Sequence, residues 1–305
     1  MNLKGRNLLS MADISDDEIS GLVSDARNIK GNKEIPDLKG KSLGMIFEKP
    51  SLRTRVSFTV AMNQMGGSCI DLGKEIGIGS REPFEDVVRV LDRYFDALAM
   101  RTYSQERLNE LAGIANIPVI NGLTDYNHPC QIMSDFFTIW ENKGSLEDLK
   151  ICYMGDGNNI VNSWLQLTQK FPINFVCACP AGYEPDKSTL EMSIDAGLSK
   201  ITITNDPFDS IQNSDVIYTD VWASMGQKDE AEIREKVFKP FQVNKSIMSE
   251  AGKNAVFMHC LPAERDREVT DEVMEAEYSI VFEQAENRLH IQNAIMATLL
   301  NQTIV

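Results

Sequence analysis

Short apolar runs alternate with helical stretches along nearly the whole chain, and this alternation constrains the fold more than any other feature. KSLGMIFE (41–48) reads as a strand, with a helix from about 52 to 65 after it. SCIDLG (68–73) is a second strand, EDVVRVLDRYF (85–95) an amphipathic helix and DALAMRT (96–102) a strand that ends in an arginine. RLNELAGIA (107–115) is helical, IPVING (117–122) a strand, and HPCQIMSDFFTIWENKG (128–144) a long helix up to a glycine stop. The pattern then restarts. DLKICYMGDG (148–157) is a strand into a glycine-rich turn, and NIVNSWLQLTQKF (159–171) is its helix. INFVCACP (173–180), DVIYTDVW (215–222) and AVFMHCLP (255–262) are strands, and SIVFEQAENRLHIQNAIMATLL (279–300) ends the chain as a short strand and a long helix. Such β-α alternation builds parallel sheets covered by helices. Two cycles of it, hinged near 142–148, predict an α/β protein of two doubly wound parallel-sheet domains. Ligands of such folds sit beyond the carboxyl ends of the strands. The chemistry-bearing motifs of this chain fall at those ends or on the closing helix.

At 305 residues the chain is long enough for one large domain or two of ordinary size. No window approaches the ~18 apolar residues of a membrane span. The start, MNLKGRNLLSMADISDDE, lacks the apolar core of a signal peptide, so a cytoplasmic, membrane-free protein is expected. The net charge of −15 argues against a nucleic-acid partner, because phosphate backbones are bound by basic faces. Six cysteines (69, 130, 152, 177, 179 and 260) include one close pair, Cys177 and Cys179, with no second pair to complete a zinc site. They read as free thiols.

Against that acidic background SLRTR (51–55) stands out. A helix starting near Ser51 offers backbone N–H groups and a dipole to an anion. Ser51 and Thr54 add hydroxyls, and Arg53 adds a planar fork that matches phosphate oxygens. Arg55 lies two residues on and cannot share a helix face with Arg53, so it is expected to brace the loop. The plain alternative is a capping serine beside solvated arginines. MRT (100–102) puts Arg101 at a strand end, and HPCQ (128–131) puts His128, Pro129 and Gln131 at a helix start, where proline's missing N–H costs nothing. GDGNNI (155–160) lacks the third glycine of a dinucleotide fingerprint, since position 160 is isoleucine. DVWASMG (220–226) and HCLP (259–262) each follow a strand.

FEKPSLRTR resembles the phosphate-binding signature of the aspartate and ornithine carbamoyltransferases, and the remaining motifs occur in that family's order. The resemblance spans about residues 5 to 300. It implies a first domain, 1–142 with the C-terminal helix 286–305 packed back on it, that holds carbamoyl phosphate, and a second domain, 143–285, that holds L-ornithine. It implies that Ser51, Leu52, Arg53, Thr54, Arg101, His128, Pro129, Gln131, Cys260, Leu261 and Arg288 bind carbamoyl phosphate. Asn159, Asp220, Ser224 and Met225 would bind ornithine, with Asp220 on the α-ammonium. Arg101, His128 and Cys260 would be catalytic. Cys260 would accept a proton or position the amine rather than attack, because a thiolate nucleophile wants an activating base and His259 should point away from its neighbour. The implied reaction gives citrulline and phosphate through a tetrahedral intermediate in an interdomain cleft, and the resemblance implies that it needs no metal or organic cofactor.

The resemblance also implies a homotrimer. Family members usually carry a glutamine that enters the neighbouring subunit's site, and Gly77 stands at its place here. Either Ser80 or Arg81 substitutes, or the loop is rearranged. Two rival readings are a carbamoyltransferase for another amine, such as putrescine, and a catalytically silent relative. The intact DVWASMG disfavours the first, and the full set of arginines with His128, Gln131 and Cys260 disfavours the second.

Overall fold

A computed structural model describes residues 3–31, 35–73, 81–223 and 230–300. The chain divides into two compact units, 1–137 with 286–305, and 138–285.

The first unit opens with α1 (Asp16–Lys30), whose start is fixed by a capping box between Ser15 and Glu18. There follow β1 (Ser42–Phe47), α2 (Arg53–Gln64), β2 (Ser68–Asp71), α3 (Phe84–Tyr94), β3 (Ala97–Arg101), α4 (Gln105–Ile114), β4 (Val119–Leu123) and α5 (Pro129–Lys143). The strands form one parallel sheet in the order β2-β1-β3-β4. Buried Leu43, Met45, Ile46 and Phe47 of β1 and all five residues of β3 explain why these stretches read as unbroken apolar runs: both faces of the central strands are covered. Ile46, Leu98 and Met100 pack with Phe84, Val88 and Leu91 of α3 and Leu108 and Leu111 of α4. The order reverses between β1 and β3, so their carboxyl ends form a topological switch point. Phe47 and Arg101 are paired across it.

In the second unit β5 (Lys150–Met154), α6 (Asn159–Thr168), β6 (Asn174–Ala178), α7 (Lys187–Asp195), β7 (Lys200–Thr204), α8 (Pro207–Ile211) and β8 (Val216–Thr219) follow in turn. Then come α9 (Ala231–Phe238), α10 (Lys245–Glu250), β9 (Val256–His259) and α11 (Asp271–Met274). The parallel sheet has the order β7-β6-β5-β8-β9, with its switch point between β5 and β8. Both sheets are parallel and doubly wound, as the alternation of the sequence predicts.

The final helix, α12 (Val281–Leu299), starts in the second unit and ends in the first. It packs back as expected. Arg288 Nη2 donates to Thr54 Oγ1 (2.5 Å), Asn293 to Gln64 (3.1 Å), and Lys30 Nζ to Asn287 Oδ1 (2.8 Å). The strand expected at its start is absent. Ser279 makes a single bridge to Phe257 on the edge strand β9, and the next residues enter the helix. No described helix is long and apolar enough to cross a membrane.

Candidate active site

At the switch point of the first sheet, β1 ends at Phe47 and the chain reaches α2 through Glu48, Lys49, Pro50, Ser51 and Leu52. The N-cap is Leu52, not Ser51; no side chain caps this end and no acid stands in the first turn. Ser51 and Arg53 are half-buried there, and Leu52 is exposed. An N-terminus left uncapped by side chains keeps its partial positive charge for an anion. Arg55 is turned aside, pairing with Asp71 at the end of β2 (2.9 Å) and lying over the Phe47 ring. That separates the two arginines as the sequence requires.

Arg101, Arg288 and His128 are all buried, with Arg101 at the end of β3 and His128 just before α5. The His128 imidazole is pushed well below its ordinary range, first by burial and then by Arg288 and Arg101. It therefore stays neutral at physiological pH. Pro129 opens α5, where no backbone donor is lost. Gln131 donates from Nε2 to Asp135 (2.8 Å).

Sequence reading missed the supports beneath these groups. The Glu48 carboxylate takes Arg107 Nε (2.8 Å) and the Thr102 hydroxyl, while its N–H donates to the Arg101 carbonyl. The SLRTR approach and the MRT strand end are thus tied together. Lys49 is buried, paired with Asp125 and set 4.2 Å from the Tyr103 ring centroid. Burial lowers its pKa, and Arg101 adds to the effect against the pull of Asp125.

The second cluster occupies the ends of three adjacent strands, β5, β8 and β9. Asn158 caps α6 by accepting from Ile160 N–H (2.9 Å), and its Nδ2 donates to Asp220 Oδ2 (2.9 Å). Cys260 Sγ donates to Asp220 Oδ1 (2.9 Å). Asp220 is thus held on both oxygens by neighbouring strand ends. Asn159, the expected ligand, is the first residue of α6. Ser224 and Met225, with Gly77 and Ser80, lie outside the described residues.

His259 departs from expectation. Its ring stands with Asp220 and Cys260, their donor atoms all within 4.8 Å of one another. Strand alternation ends at His259, and the left-handed Leu261 (φ 58°) folds the next residues back, so that Leu261 N–H donates to His259 Nδ1 (2.8 Å). The ring proton therefore sits on Nε2, facing Glu268 Oε1 at 3.1 Å. Glu268, fully buried, also accepts from the Glu264 N–H (2.5 Å). Asp220, His259 and Cys260 form a donor set of metal-ligating types, but their atoms already satisfy partners within the chain.

In the same unit, Arg234 Nη1 donates to both Asp156 Oδ2 (3.0 Å) and the Trp222 carbonyl (2.9 Å), and its guanidinium lies over the Tyr183 ring. This buried pair joins the turn after β5 to the segment after β8.

A polar, largely buried cluster at the switch point of each of two parallel sheets defines a two-unit α/β protein equipped for two polar ligands. Comparison with known proteins places it further. Residues 6–141 match the aspartate/ornithine carbamoyltransferase carbamoyl-P binding domain, and residues 147–299 match the Asp/Orn binding domain of the same family. The chain is 55% identical to a chloroplastic ornithine carbamoyltransferase of Pisum sativum, over 89% of this chain and 73% of that one. It is 45% identical to an ornithine carbamoyltransferase of Syntrophus aciditrophicus, over 97% of this chain and 99% of the other. The solved ornithine carbamoyltransferase of Pyrococcus furiosus superimposes with a TM-score of 0.93 at 44% identity, covering 98% of each chain. The chain belongs to the aspartate/ornithine carbamoyltransferase family.

Proposed function

We propose that the chain transfers the carbamoyl group of carbamoyl phosphate to the δ-amine of L-ornithine, giving L-citrulline and phosphate. The observation that carries this reading is Asp220, held by Asn158 and Cys260 at the ends of adjacent strands. It gives an α-ammonium a carboxylate partner. A second substrate carboxylate, as in aspartate, would need cations instead. The relatives that match over most of the chain are named for the same activity.

Residues 1–142 with 286–305 bind carbamoyl phosphate, and 143–285 bind ornithine. Phosphate sits at the α2 N-terminus on Ser51, Leu52, Arg53 and Thr54. Arg101, Arg288 and His128 surround the carbamoyl oxygen and the phosphate, with Pro129 and Gln131 completing the contact. A carbonyl under attack gathers negative charge, and arginine donors with a neutral imidazole stabilise it best in the transition state. Ornithine is held by Asn159, Asp220, Ser224 and Met225, with Cys260 and Leu261 beside the reacting carbon. The free δ-amine has a lysine-like pKa of ~10, so its proton must leave before attack. In this reading Cys260 relays it: the thiol, which donates to Asp220 Oδ1, passes its own proton to that carboxylate as it takes the one from the amine. Collapse of the tetrahedral intermediate expels phosphate.

The same reading makes the chain a cytoplasmic homotrimer of arginine biosynthesis; the family resemblance supports the trimer, and a relative named anabolic supports the pathway. Mixing the protein with carbamoyl phosphate and L-ornithine should yield citrulline, and Asp220→Asn should raise the ornithine KM at least tenfold. Citrulline formation untouched by that substitution would remove Asp220 from the site.

A further inference from the structure

Gln131 stands one turn from His128 on α5, 1% exposed, and Asp135 lies one turn further on the same face, fully buried. A primary amide presents two donors at one end and an acceptor at the other, in nearly the same shape. Which end faces outward is decided by what the inward end meets. A carboxylate accepts and cannot donate. Asp135 therefore takes the Nε2 end of Gln131 (2.8 Å), and Oε1 is turned the other way. That oxygen is buried and has no hydrogen-bond partner among the described residues. A buried amide oxygen without a donor is costly, so its natural complement is an N–H brought by a ligand.

The geometry points to Asp135 as the positioning residue that makes this site choose an acyl phosphate bearing an N–H over one bearing a methyl group. The inference rests on the function proposed above, in which Gln131 meets the carbamoyl NH₂. Acetyl phosphate has the same phosphate and the same carbonyl, but its methyl group offers Gln131 Oε1 nothing. Sites built around one hydrogen bond reject the analogue that lacks it, because the buried partner stays unpaired. With Asp135 replaced by asparagine, either amide end of Gln131 finds a complement, and the outward acceptor is no longer enforced.

The test compares dissociation constants of carbamoyl phosphate, acetyl phosphate and inorganic phosphate, measured by competition. The unaltered protein should prefer carbamoyl over acetyl phosphate by tenfold or more. Asp135→Asn should reduce that preference about tenfold while leaving the inorganic phosphate constant unchanged, as Gln131→Ala should. In a Gln131→Ala background, adding Asp135→Asn should change the ratio no further. A full additional loss in that background would mean that Asp135 acts by another route, and overturns the inference. So does an unaltered protein that binds carbamoyl and acetyl phosphate equally, a result that needs no variant to fold. Failure of the unaltered protein to bind carbamoyl phosphate at all would instead overturn the proposed function.

Discussion

Replacing Arg234 by methionine keeps an unbranched apolar stem and removes the guanidinium. In the structure that group closes a buried ion pair with Asp156, donates to the Trp222 carbonyl, and meets Glu230 at 3.1 Å. The Glu230 side chain is 60% exposed, so that contact contributes under about 1 kcal/mol. The Asp156 pair is different: the two side chains are 7% and 12% exposed. Removing one partner of a buried pair leaves an uncompensated charge, at a cost of about 3–5 kcal/mol. Asp156 escapes by taking a proton. Burial already raises its pKa, with Arg234 pulling in the other direction, so loss of Arg234 raises it further. A carboxyl whose folded pKa lies above its unfolded value contributes stability at low pH and loses it as pH climbs through the folded value. The variant's deficit should therefore be about 3–5 kcal/mol at pH 7 and clearly smaller at pH 5. Urea unfolding followed by tryptophan fluorescence measures it at both pH values. A deficit under 1 kcal/mol, or one equal at the two pH values, would refute the buried-charge argument.

Arg101→Ala should lower the turnover of citrulline formation by ~10²-fold or more, as loss of an oxyanion donor does; near-native turnover rules that role out. Arg53→Lys should weaken inhibition by inorganic phosphate, because an ammonium cannot reproduce the guanidinium fork; an unchanged inhibition constant excludes Arg53 as a ligand. His128, depressed by burial and then by Arg288 and Arg101, contributes stability that is present above its unfolded pKa of ~6.5 and lost as pH falls below it. Thermal melts at pH 7.5 and 5.5 should therefore show His128→Gln losing less on acidification than the unaltered protein. Gly157→Ala should cost about 1–3 kcal/mol by overpacking, since an added Cβ would lie 2.5 Å from the Glu184 carbonyl carbon and against Pro185; an unchanged melting temperature contradicts it.

Central strands were legible because burial on both faces writes them as apolar runs, as in LGMIF and ALAMR. The edge strand β7, KITIT, carries no such signal: part of it faces water, and its threonines and lysine look like a connection. SIVF misled in the opposite direction, since a short β-branched run carries no period that separates strand from helix. Arg101 and His128, proposed above as substrate ligands, are singled out by the family resemblance of MRT and HPCQ, which stand at a strand end and a helix start. Their supports are not. Arg234 sits in AEIREK and reads as a solvated helix face, yet the fold buries it against Asp156. Asp135 and Glu268 are likewise ordinary acids until packing removes their water. The turn of His259 toward Cys260 depends on a left-handed Leu261, which nothing in HCLP announces.

The central claim concerns which amine is carbamoylated. The most direct measurement offers L-ornithine, putrescine and L-aspartate together with carbamoyl phosphate and quantifies each product. The account predicts citrulline in large excess over carbamoylputrescine and carbamoylaspartate, with one phosphate released per citrulline. Carbamoylputrescine or carbamoylaspartate as the main product, or no carbamoylated amine at all, would contradict it.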